Sequence, residues 1–305
     1  MTIDQRLKNL EVPAGKVDVV LDTDAFNEVD DQFAMAYLLR SDDKLNTVAI
    51  YAAPFCNKNA GSPKEGMEKS SDEIFKILDL ADVKKDVFKG SDNYLKNEQE
   101  PVISDAAKDL AERAENYSPE NPLYVIAIGA ITNIASAILL NPKVAENTVV
   151  VWLGGHAYHY PETAEFNMKQ DVSAARVVFK SGVPLVQVPV QGMVTAFAIS
   201  KPELEYWFKG KNKLADYLAT YMMEDALVRG TNKAWAWVVC DVVAVAWLLN
   251  DGGRFMRSQV IPAALPTYDN LYAYDYNGHL IRYIYGINRG ELMDDVIEKI
   301  AGKNE

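Results

Sequence analysis

The densest run of side chains able to do chemistry is Asp22-Thr23-Asp24-Ala25-Phe26-Asn27-Glu28-Val29-Asp30-Asp31. Acids packed this closely repel one another unless protons or a cation neutralise them. Oxygen ligands without His or Cys beside them favour a hard ion, calcium or magnesium, over zinc. A single Asp where a helix begins reads as an N-cap, but capping uses one carboxylate and leaves the others unexplained. An EF-hand is a poor match, because the required spacing and central Gly are missing. A magnesium-dependent phosphatase acting through Asp22 and Asp24 stays open on this segment alone.

The elements around the cluster say how it is held. Residues 16–21 form a short β-branched run that ends at the acids, and residues 30–40 then show apolar side chains at helical spacing. Strand and helix patterns go on alternating: strands over 45–52, 123–128, 148–153 and 185–190, and helices over 66–80, 132–140 and 171–180. Nearly continuous apolar strands between helices predict an α/β fold, a mostly parallel sheet flanked by helices. In such a sheet ligands bind at the carboxyl ends of the strands, where the acids stand. The last third reads as helices over 213–228 and 241–249, then a C-terminal β-hairpin of 271–276 and 279–285 turned by Asn277-Gly278. No linker or repeat interrupts the 305 residues, so a single domain over 1–305 is expected.

Composition narrows the partners. The net charge of −12 argues against a nucleic-acid polyanion. No apolar run approaches the roughly 18 residues of a membrane span, and the N-terminal residues lack the apolar core of a secretory signal. Two cysteines, Cys56 and Cys240, imply no disulfide framework and a reducing, cytoplasmic compartment.

Four segments together resemble the inosine-uridine nucleoside hydrolase family. Asp22 to Asp31 is similar to its N-terminal DxDPGxDD signature. Ala127-Ile128-Gly129-Ala130-Ile131-Thr132-Asn133-Ile134-Ala135 is similar to its ALGPLTNIA segment. Trp152-Leu153-Gly154-Gly155, then Ala164-Glu165-Phe166-Asn167 with Asp171 beyond, resembles MGG…AEFNxxxD. Cys240-Asp241-Val242-Val243-Ala244-Val245 resembles HDxxAV. The resemblance implies calcium-dependent hydrolysis of the bond between ribose and base, in a homodimer or homotetramer acting on a small-molecule nucleoside. It places Asp24, Asp31 and Asp241 on the calcium with the main-chain oxygen of Ile128, and makes Asp24 the base that takes a proton from the attacking water. Asp30, Glu165 and Asn167 match ribose contacts.

Three departures from the family pattern bear on substrate choice. Ala25-Phe26-Asn27-Glu28-Val29 replaces a Pro-Gly turn and is two residues longer, so Asn27 or Glu28 can enter the site. Cys240 stands where many members carry a His that protonates the leaving base, and a thiol is a poor substitute near neutral pH. His156 and His159 are candidates to supply that proton, against the ordinary reading of each as a surface or packing residue. Trp235 and Trp237 are candidates to stack on a base, against the ordinary reading of core or pocket wall. The Asn expected after the second strand has no clear counterpart beyond Asn57. A binding module that keeps fold and metal but lacks turnover is the alternative function.

Overall fold

The computed structural model describes residues 1–228 and 234–302. Twelve strands are found among them: β1 Val17–Thr23, β2 Leu45–Ala52, β3 Val87–Lys89, β4 Leu123–Ala127, β5 Thr148–Leu153, β6 Leu185–Val188, β7 Ala198–Ser200, β8 Ala236–Val238, β9 Met256–Pro262, β10 Ala264–Pro266, β11 Tyr272–Tyr274 and β12 Leu280–Ile287. Eight of them form one sheet in the order β3-β2-β1-β4-β5-β6-β12-β9. Pairing is parallel throughout except at the β12–β9 edge, which is antiparallel.

The sheet is covered on both sides, which is why its strands read as unbroken apolar runs. In β1, Val19 and Leu21 face one core with the helices Asp30–Leu39 and Val242–Trp247. Val20 between them faces the other core, with the helices Asp105–Arg113, Thr132–Leu140 and Val172–Ser181. The helix Asp30–Leu39 is buried along its whole length, as expected of a helix with little polar surface to offer.

The strand order fixes where a ligand can sit. From β1 the chain moves outward to β2 and β3, then returns beside β1 with β4 and winds the other way through β5 and β6. The reversal falls between β1 and β4, and their carboxyl ends open a crevice there. Asp24 leaves one of these strands and Ile128 the other.

The C-terminal antiparallel strands are present, but their partners differ from the expected 271–276 with 279–285. Gly278 N–H donates to Asp275 O at 2.9 Å, so the chain does turn at Asn277-Gly278. The flanking strands then part: β11 pairs with β10, and β12 enters the main sheet between β6 and β9. Insertion satisfies both edges of β12, where an isolated hairpin would leave one unpaired. No helix among the described residues is long and apolar enough to cross a membrane.

Candidate active site

The crevice at the β1/β4 switch is a cleft of about 270 Å³, near the lower end of the ~300–1,000 Å³ usual for small-ligand pockets. Asp24, Asn27, Asp30, Asp31, Ile128, Glu165, Asn167 and Asp241 all line it. Residues more than two hundred positions apart therefore converge, because the helix Val242–Trp247 packs on the helix Asp30–Leu39 and brings the two starting acids together.

Local geometry explains each placement. Val29, without a side-chain cap, precedes the helix Asp30–Leu39, so neither Asp30 nor Asp31 serves as the cap residue. The Asp30 carboxylate accepts instead from Cys240, at 2.8 Å from the thiol and 3.2 Å from the backbone N–H. Asp31 accepts from the Thr23 hydroxyl. The longer loop closes without Gly: Asn27 N–H donates to Asp24 O, the Asn57 amide donates to the Asn27 side chain, and the Asn59 amide donates to Asn27 O. Gly129 lets the chain after β4 press against this loop, since a Cβ there would lie 2.9 Å from the Ala53 side chain and 3.2 Å from Asp24 Oδ1.

Asp24 differs from its neighbours. It is 1% exposed and neither carboxylate oxygen has a hydrogen-bond partner among the described residues. Burial, then repulsion from Asp30, pushes its carboxyl well above the usual range. Asp31 and Asp241 are pushed up in the same way, by burial first and then by surrounding aspartates. Such orphaned, mutually repelling oxygens are what a hard divalent ion relieves. Asp30, Cys240 and Asp241 also each offer a ligand atom within 4.8 Å of one another.

Asp22 stands apart. It does not line the cleft; its carboxylate accepts from the Asn133 amide at 2.7 Å, and burial lifts its pKa to about 7 against that bond. Asn133 also holds Ser91, so the pair staples the loop after β3 to the end of β1. Asp22 therefore sits behind the cleft that Asp24 lines, though its charge still helps to raise the Asp24 carboxyl.

Glu165 lines the cleft, yet its carboxylate accepts the backbone N–H groups of Gly155, Asn167 and Met168 at 2.8 to 3.0 Å, capping the helix Phe166–Gln170. The Asn167 amide donates to Ile128 O at 3.0 Å and Leu153 O at 3.1 Å, fixing the main-chain oxygen beside Asp24.

Of the four residues considered for leaving-base protonation or stacking, His156 alone lines the cleft among the described residues. His159 lies in a separate depression with Tyr158, Tyr283 and Tyr285. Trp237 lies in β8, paired with Ile199, and Trp235 packs on the flank of the core. The wall also includes Glu28, Asn57, Phe166, Val190 and Gln191. Val190 and Gln191 follow β6 and carry no motif, so only the strand order could have announced them.

Comparison with known proteins agrees with this architecture. The family model for the inosine-uridine preferring nucleoside hydrolase matches residues 19–273. The chain belongs to that family. A pyrimidine-specific ribonucleoside hydrolase, RihB, of Escherichia coli is 38% identical over 72 residues, spanning 23% of this chain and 23% of that protein. The match thus covers about a quarter of its length. A plant nucleoside hydrolase, PpNRh1, superposes with a TM-score of 0.73 at 17% identity, over 94% of this chain and 100% of the other. A purine-preferring ribonucleoside hydrolase from Gardnerella vaginalis superposes at 0.68 and 18% identity, over 93% and 98%. At such identities the superpositions speak for the fold.

Proposed function

We propose that the protein hydrolyses the N-glycosidic bond of ribonucleosides, releasing ribose and free base, with calcium as its cation. Asp24, Asp31 and Asp241, with the main-chain oxygen of Ile128, would hold the ion. When bound, calcium lowers the pKa of a water and balances buried negative charge. The orphaned oxygens of Asp24 carry this reading, because nothing else among the described residues uses them.

The rest follows from the chain's own groups. Asp24 takes the proton of the attacking water as oxygen bonds to the anomeric carbon. Breaking the C–N bond builds positive charge on the ribose ring, and the surrounding carboxylates stabilise it without reorganising. Asp30, held by Cys240, and Asn27 stand ready to accept or donate at the ribose hydroxyls. Glu165 supports the sugar side by rigidifying the turn that presents Asn167. Among the described lining residues the acids meet the sugar side, so ribose recognition should be stricter than base recognition.

The test is release of ribose and base from inosine, adenosine, guanosine and uridine with calcium present. Activity should disappear with a chelator and return on adding calcium. Nucleoside binding without release across the whole panel would overturn the catalytic reading in favour of a binding module.

A further inference from the structure

We infer that Asn57 is a positioning residue: it turns the Asn27 carboxamide so that the NH2 group, and not the oxygen, is offered to a ribose hydroxyl oxygen in the cleft. The inference rests on the hydrolase reading above and gives one of its sugar contacts a direction.

The two ends of a carboxamide are told apart by what they bond, oxygen accepting and nitrogen donating. Here the chain of bonds starts at a backbone N–H, which can only donate. Asn59 N–H donates to the Asn57 side chain at 2.7 Å, so that end of Asn57 is Oδ1. Asn57 Nδ2 is then the end that faces Asn27, and it donates to Asn27 Oδ1 at 2.5 Å. With its oxygen taken, the Asn27 side chain has Nδ2 left, and that atom bonds no other described residue. Asn27 is 8% exposed and lines the cleft, so its free end is an NH2 donor there.

The bracket behind Asn27 is held on its own account. Asn57 and Ala60 exchange backbone N–H···O bonds of 3.0 and 3.2 Å, which closes a tight turn. The Asn59 amide donates to Asn27 O at 3.1 Å, and Lys69 of the helix Pro63–Ala81 donates to Asn59 O. Lys69 Nζ also lies 5.7 Å from the centre of the Phe26 ring, on the loop itself. Main chain and side chain of Asn27 are thus fixed by one turn before a ligand arrives, which lowers the ordering cost of binding. The direction matters because ionised carboxylates such as Asp24 and Asp30, between which Asn27 stands in the chain, can only accept from sugar hydroxyls. A hydroxyl that gives its proton to an acid keeps lone pairs, and an NH2 group is what can meet them.

The test is a double-mutant cycle on the calcium-loaded full chain, read as KM and kcat on inosine and uridine. Asn57→Ala should raise KM by about three- to tenfold on both substrates, the worth of one hydrogen bond, with kcat changing less. Asn27→Ala removes the group being turned, so adding Asn57→Ala to it should move KM by less than about twofold. Asn57→Asp keeps an acceptor for Asn59 N–H, and with it the turn, but faces Asn27 Oδ1 with a second acceptor. It should raise KM at least as much as Asn57→Ala, and the Asn27→Ala background subtracts any effect of the added charge. An Asn57 effect as large in that background as in the wild type overturns the inference, because Asn57 then touches the substrate itself or only holds the fold. Wild-type KM in Asn57→Asp protein whose circular dichroism is unchanged overturns it as well. A wild-type chain that binds nucleosides without releasing base overturns the hydrolase reading alone, and the same cycle is then read in Kd. Neither release nor binding overturns both.

Discussion

At the scale of single residues, the cleft separates acids that keep a fold from acids that are left for chemistry. Glu165 and Asp171 accept protein donors on both carboxylate oxygens and Asp22 accepts one from Asn133 on a single oxygen, whereas neither oxygen of Asp24 has a partner among the described residues. Residue type alone leaves Asp22 and Asp24 equivalent; the family resemblance singles out Asp24, and the Asn133 amide on Asp22 gives the physical difference. Asp24→Asn should therefore lower kcat by roughly 10²–10⁴, the loss expected for a positioned base, while the thermal midpoint holds or rises as buried repulsion is relieved. Steady-state kinetics beside a melting curve checks both halves, and an Asp24→Asn protein with wild-type kcat would remove the proposed base. Cys240 makes a second residue-scale case. Cys240→Ala deletes one of two donors to Asp30 and should raise KM more than it lowers kcat, and Cys240→Ser should restore KM. Equal KM in both variants would mean that the thiol does not orient Asp30.

At the scale of elements, the parallel core was legible because each buried strand is a short apolar run and each following helix repeats near 3.6 residues. Strands such as Leu45–Ala52 and helices such as Lys213–Val228 fall where the pattern places them. The half-exposed β9, with arginine, serine and glutamine along it, gave no such signal. The hairpin partners were hidden for a related reason: Asn277-Gly278 specifies a turn, but which edge each strand joins is decided by the sheet waiting beside it. Between elements, Asp171 is the bracket that no motif role anticipates. Its carboxylate accepts from Leu95 N–H, Thr132 Oγ and Ala174 N–H at 2.8 to 2.9 Å while 3% exposed. Asp171→Ala strands three buried donors, each costing about 1–3 kcal/mol. A loss of roughly 3–5 kcal/mol in urea unfolding is expected, and a loss below about 1 kcal/mol would mean water replaces the carboxylate.

For the whole molecule, the cluster of buried acids couples cation binding, protonation and stability. In the cation-free protein Asp24, Asp31 and Asp241 hold protons more tightly than they do in the unfolded chain, because burial and mutual repulsion disfavour their charged forms. Asp22 does the same, from an ordinary value of 3.8 to about 7. Folded-state values above unfolded ones mean stability that is fully present below the unfolded pKa and lost as pH rises through the folded one. The cation-free chain should accordingly weaken between about pH 4 and pH 7, and beyond it for the acids displaced further. Calcium held as proposed would reverse the preference at Asp24, Asp31 and Asp241 by requiring their ionised forms, but would leave Asp22, which does not line the cleft. Free calcium at about a hundred times its Kd adds about 2.7 kcal/mol. At roughly 2–4 °C per kcal/mol for a chain somewhat smaller than this one, the melting midpoint should rise by about 5–10 °C. Because fewer protons must be displaced at higher pH, the rise at a fixed calcium concentration should be larger near pH 8 than near pH 5. Paired thermal scans with calcium and with chelator at the two pH values measure it. A rise independent of pH would place the ion away from these acids.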